Sequence, residues 1–116
     1  MAEQTYPFTE EGASQALEDL GATPADVAAA LAVRGIKGIV NNEYCCPVAN
    51  YLQTAVGGAE VQVWDVECTL TRRVQVDEYV ESEDVVIDTP KPIAVFLSAF
   101  DAEEYPDLIE KEPVHV

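Results

Sequence analysis

At Glu60 the hydrophobic period of the chain changes. Before it, apolar residues recur at helical spacing. After it, Trp64, Val66, Cys68 and Leu70 alternate with Asp65, Glu67, Thr69 and Thr71, and the same parity resumes at Val74 and Val76. A period of 3.6 buries one stripe of a helix and a period of 2 buries one face of a strand, so the two patterns cannot belong to one kind of element. A third segment, with Ile93, Phe96, Leu97 and Phe100, returns to helical spacing. Helices, then strands, then a helix predict an α+β fold: about four helices packed on a small, mainly antiparallel sheet of two or three strands.

The helix starts carry explicit signals. Thr9 precedes Glu10 and Glu11, with Ala13, Ala16, Leu17 and Leu20 forming a stripe and Gly21 a stop. Thr23 caps a second helix with Pro24 at its first position and Asp26 three residues after the cap, and Gly35 ends it. A third starts at Pro47, where Val48, Tyr51, Leu52, Ala55 and Val56 share one face and Cys46 occupies the N-cap. Between the second and third helices, residues 35–44 read as a connector with a short extended piece at Ile39-Val40. The alternating segment passes through Thr71-Arg72-Arg73 without a turn signal, so one long strand and a hairpin bent there both stay open, and its length, greater than that of a usual strand, favours two strands. A third strand is expected at residues 84–88, after an acidic loop, and Thr89-Pro90-Lys91-Pro92 opens the last helix. Tyr105-Pro106 should be extended or turned, with Leu108-Ile109 folding back. In the core, Trp64, Phe96 and Phe100 are expected to share space with Leu52.

A chain of 116 residues suits a single domain, here residues 1–116, with ends fraying at about 1–7 and 111–116. The sequence has no run of about 18 apolar residues and no basic start followed by an apolar stretch, so a cytoplasmic protein is expected. Cys45, Cys46 and Cys68 are an odd set with two members adjacent, unlike a secreted disulfide framework, and are read as free thiols. Twenty-two acids against six Lys and Arg give a formal net charge of −16. That excess disfavours direct binding to nucleic acid or to anionic membranes and makes a basic protein surface the natural partner. Oligomeric state is not read from the sequence.

Chemistry has few candidates. A thiol at a helix N-terminus, as Cys46 is, can be activated, but His115 is the one histidine and no C-x-x-C spacing exists. Packing is the expected role of Cys46 and Cys68, and adjacent Cys45 and Cys46 lack the spacing of a zinc site. No catalytic, cofactor-binding or metal-ligating residue is assigned, and no cofactor is expected. The alternative is a small cysteine- or metal-dependent activity centred on Cys45 and Cys46.

Acids, by contrast, cluster. Asp77, Glu78, Glu81, Glu83, Asp84 and Asp88 fall within residues 77–88, and Asp101, Glu103, Glu104, Asp107, Glu110 and Glu112 within residues 101–112. If folding places the two segments side by side, they form an acidic face fit for a basic partner, in the extreme case one imitating the phosphates of DNA. Otherwise they are solvated charge. The partner-binding candidates are the six in the first segment with Asp101, Glu103, Glu104 and Asp107. The expected function is a non-enzymatic protein-interaction module.

Three short motifs also carry a resemblance: Gly35 and Gly38; Cys46, Pro47, Val48, Ala49, Tyr51 and Leu52; and Phe100, Asp101, Tyr105, Pro106 and Leu108. In these the chain resembles small uncharacterised proteins of actinobacteria and their phages. The resemblance implies a phage-encoded or phage-derived protein, so the basic surface expected from the charge would belong to a host or defence protein, and it brings no activity with it. The sequence departs from that pattern at Glu103, where glycine is expected, so the turn after the last helix is expected to differ.

Overall fold

The computed structural model describes residues 6–57 and 59–110. The calls that fall on residues 1–5 and 111–116, His115 included, lie outside the described residues. Three helices, α1 (Glu10–Glu18), α2 (Pro24–Val33) and α3 (Pro47–Ala55), precede strands β1 (Glu60–Val63), β2 (Glu67–Val76) and β3 (Tyr79–Asp88). Helix α4 (Lys91–Asp101) and a 3-10 turn (Pro106–Leu108) follow. The strands form one antiparallel sheet in the order β1-β2-β3, so the fold is α+β.

Local chemistry sets each helix start. Thr9 and Thr23 accept from the main-chain N–H groups of Gly12 and Asp26 at 2.9 and 3.1 Å, satisfying donors that the first turn leaves unpaired. Cys46 does the same for Ala49 through its sulfur, at 3.4 Å. Helix α1 lies along β3 and α3 along β1, while α2 packs against α3, α4 and the 3-10 turn. One core joins them, with Leu17, Leu31, Leu52, Leu70, Phe96 and Phe100 fully buried. Tyr6 and Pro7, within the segment expected to fray, are held. The Tyr6 N–H donates to the Ala55 carbonyl at 2.7 Å, and its hydroxyl donates to Asp19. That bond pushes the Tyr6 hydroxyl pKa up and holds the Asp19 carboxyl below its ordinary value.

The sheet departs from the sequence reading in three ways. Trp64 is not in the core: it is 44% exposed, at a turn over residues 64–66 where its N–H donates to the Glu67 carbonyl at 2.9 Å. Inward parity ahead of that turn belongs to Val61 and Val63, which pair with Leu70 and Cys68. The alternation beginning at Trp64 therefore joined a turn to a strand. Second, β2 does not bend at Thr71-Arg72-Arg73. It runs ten residues straight through, with Arg72 stacked over the Phe8 ring at 4.6 Å and ion-paired with Glu83 at 2.8 Å. Third, the acidic loop before residue 84 is strand, because β3 begins at Tyr79 and pairs with β2 along its full length. The turn between them is Asp77-Glu78, with Asp77 at φ 53° and its carbonyl accepting from the Gln75 side chain at 3.0 Å.

The hairpin outruns the helices. Its inner half buries Cys68, Leu70 and Ile87, whereas Tyr79, Val80, Glu81, Ser82 and Glu83 are all exposed. A chain this long is expected to have a radius of gyration of about 13 Å. The observed radius is 14.5 Å.

Candidate functional site

The three sequence motifs converge on Gly38. Its N–H donates to the Leu108 carbonyl at 2.9 Å and its carbonyl accepts from Glu110 N–H at 2.8 Å, a parallel bridge to the chain around Ile109. This contact lies one residue before the extended piece expected at Ile39-Val40. A Cβ at Gly38 would stand 2.3 Å from the Pro47 nitrogen and 2.5 Å from the Cys46 carbonyl carbon. Only glycine lets the two main chains come so close. Asn50 then donates to the carbonyls of Lys37 and Cys45 at 2.7 and 3.3 Å, and an Asp101 oxygen accepts from Asn41 N–H at 2.9 Å. Tyr51, buried, donates to the Ala16 carbonyl at 2.8 Å, tying α3 to α1. Tyr105 packs on Phe96 with ring centres 5.2 Å apart. Apart from the exposed Pro106, the motif residues are caps, close contacts or side chains packed in or against the core.

Burial at this junction keeps the Cys46 thiol protonated. It pushes that thiol from an ordinary 9.0 up to about 12, outweighing the N–H groups of Ala49 and Val48 that favour the thiolate. A helix N-terminus lowers a thiol pKa, but at Cys46, 3% exposed, desolvation outweighs that effect. Cys68 is raised as well, chiefly by burial. All three cysteines are free. Among the described residues no group of three or more His, Cys, Asp or Glu is arranged to hold a metal ion, and no helix is long and apolar enough to cross a membrane.

The acids occupy two places. Asp77 and Glu78 form the tip of the hairpin, and Glu81, Glu83, Asp84 and Asp88 follow along β3. Of these, Glu83 pairs with Arg72 and Asp84 accepts from the Thr71 hydroxyl at 2.8 Å. The second segment, from Asp101 through Glu103 and Glu104 to Asp107, leaves α4 towards α2 and Gly38, and Asp107 shares a hollow with Lys37 and Glu110. Strand β3 instead has α1 beside it, so Asp88 shares a groove with Glu10, Glu11 and Glu18. The neighbours of the β3 acids are thus residues from the start of the chain, which sequence clustering does not reveal.

A further surface feature shares Asp101 with the acid pattern and takes in Cys46. Trp64, Asp65, Ser98, Asp101, Asn41 and Asn42 line an open cleft of about 400 Å³. The sequence signal at Trp64 pointed to the core, so this surface was missed. Compared with models of known families, with curated proteins and with solved structures, the chain matches none.

Proposed function

We propose that the chain is a non-enzymatic interaction module whose β2–β3 hairpin presents carboxylates to a basic surface of another protein. One observation carries the reading: Asp77, Glu78, Glu81 and Glu83 lie on a hairpin half that buries almost nothing, with Arg72 its one ion-pairing cation among the described residues. Concentrated charge on a projecting arm raises the local concentration of an oppositely charged partner and speeds its association. The motif resemblance supports a phage-related source, in which case the partner is a host or defence protein. The anchoring of most motif residues in packing supports a role for the motifs in folding rather than in chemistry.

The test compares capture of partners from a host lysate at low and high salt by three forms of the full chain. Glu78→Gln/Glu81→Gln neutralises carboxylates on the arm, and Glu60→Gln/Asp65→Gln removes the same charge elsewhere. The expected result is a salt-sensitive partner lost with the first variant and kept with the second. Equal loss with both would reduce the arm to bulk charge and overturn the reading.

A further inference from the structure

Strand β3 is the edge of the sheet, and among the described residues no main-chain hydrogen bond from residues 79–88 reaches any element other than β2. In an antiparallel strand every second residue turns its N–H and C=O away from its partner. The ten residues of β3 therefore offer a long row of unpaired donors and acceptors to the outside. Beside the inner end of this edge, Glu10, Glu11 and Glu18 of α1 with Val86, Ile87 and Asp88 line a groove. Alternation puts Glu81 and Glu83 on the same sheet face as Tyr79, Val85 and Ile87, and puts Asp84 and Asp88 on the other with Val80, Ser82 and Val86. A strand laid along the edge would meet both carboxylates and apolar side chains on each face.

We propose that the free edge of β3 takes up an extended basic segment of a partner protein as a fourth strand. Lysine or arginine on one face of that strand would meet Glu81, Glu83 and the α1 carboxylates, and on the other face apolar residues would lie beside Val80 and Val86 with a basic residue beside Asp84 or Asp88. This rests on the reading of the acidic hairpin as the binding surface and names how that surface binds. Main-chain hydrogen bonds supply affinity and orientation in such strand addition, and the alternating side chains supply specificity. The same acids work against pairing with a second copy, because two β3 edges would bring like charges together across the strands. Charge on an edge strand is a common guard against self-pairing, and it leaves the edge open to a strand of opposite sign.

The probe is a peptide of alternating lysine and valine about ten residues long, matching the longer strands of globular sheets. Two further versions are N-methylated on alternate residues, one in each register, which removes edge donors and keeps the charge. Amide exchange of the full chain is followed by nuclear magnetic resonance as each peptide is added. The expected result is protection of alternate amides in β3 by the unmethylated peptide and binding weaker by about tenfold or more for one methylated register. Equal, salt-sensitive binding of all three peptides without protection in β3 would overturn strand addition and leave the acidic-surface reading standing. No salt-sensitive binding of any peptide would overturn both. Protection of β3 that grows with protein concentration alone would assign the edge to a second copy and overturn the proposal.

Discussion

Around Gly38, three segments far apart in sequence meet with no room for a methyl group, whereas the outer half of the β2–β3 hairpin is largely exposed and meets the rest of the fold at its base, where Arg72 stacks over the Phe8 ring. At the junction main-chain groups are matched across the segments: Gly38 with Leu108 and Glu110, Ile39 with Cys45, Asn41 with Asp101. On the arm the reverse holds, with an unpaired edge, exposed Tyr79 and Val80, and carboxylates that mostly lack cations. Cys46, the candidate for chemistry in the sequence, belongs to the first region, and Asp77, Glu78, Glu81 and Glu83, candidates for partner binding, belong to the second. Reactive-looking side chains at tight junctions satisfy main-chain groups, and surface for a partner lies where the fold needs no contacts.

The largest effect expected from this contrast is at Gly38. Gly38→Ala drives a Cβ into the Cys46-Pro47 main chain and should lower stability by about 3 kcal/mol, at the upper end for overpacking. On the arm, Val80→Ala should change it by less than about 0.5 kcal/mol, the usual range for surface positions. Denaturant unfolding of the two variants measures both, and similar losses would erase the contrast.

Cys46 sharpens it through pH. With the folded thiol raised from 9.0 to about 12, the native state holds a proton that the unfolded chain releases in that interval. Stability is therefore fully present below about pH 9 and falls as pH rises towards 12, by up to about 1.4 kcal/mol per unit. Cys46→Ser, which keeps an N-cap acceptor, should remove the contribution of Cys46 to this slope, while Cys46→Ala should lose about 1 kcal/mol at neutral pH. Unfolding curves at several pH values test both, and an unchanged slope in the serine variant would contradict the buried-thiol assignment.

The smallest expected effect is at the end of α4. Helix α2 closes with Gly35 at φ 71°, its N–H bonded to Ala32 and the next N–H to Leu31. Helix α4 closes with the same pair of bonds, Glu103 to Phe100 and Glu104 to Ala99, but with Glu103 at φ 64°. The turn therefore forms in the left-handed conformation that the expected glycine would favour. Glu103→Gly should raise stability by about 0.5 to 1 kcal/mol, as relief of left-handed strain does. A lower thermal midpoint would show that the glutamate contributes something not visible in its contacts.

Helices were legible because their signals are local. Thr9, Thr23 and Cys46 act on the residue three positions on, and Gly35 ends α2 by its own dihedral freedom. The sheet was less legible because its turns lack the usual residues: Asp77 takes a left-handed φ without a glycine beside it, and the 64–66 turn sits inside an unbroken alternation. The bend expected at Thr71-Arg72-Arg73 rests on the length of the alternating run, which the 64–66 turn already divides. In fact the strand simply runs past the helices that would bury it. Of the candidate site, the count of acids could be read but not their neighbours, since the approach of Glu10, Glu11 and Glu18 to Asp88 depends on how α1 packs on β3.

The central claim, that one hairpin is half core and half free arm, is tested most directly by native-state amide hydrogen exchange on the full chain without any partner. Hydrogen-bonded amides in residues 72–76 and 79–83 should exchange about 100-fold or more faster than those of residues 68–70 and 85–87, because opening the arm exposes little buried surface. Uniform protection along both strands would mean that the hairpin opens as one unit with the core, and would contradict the account.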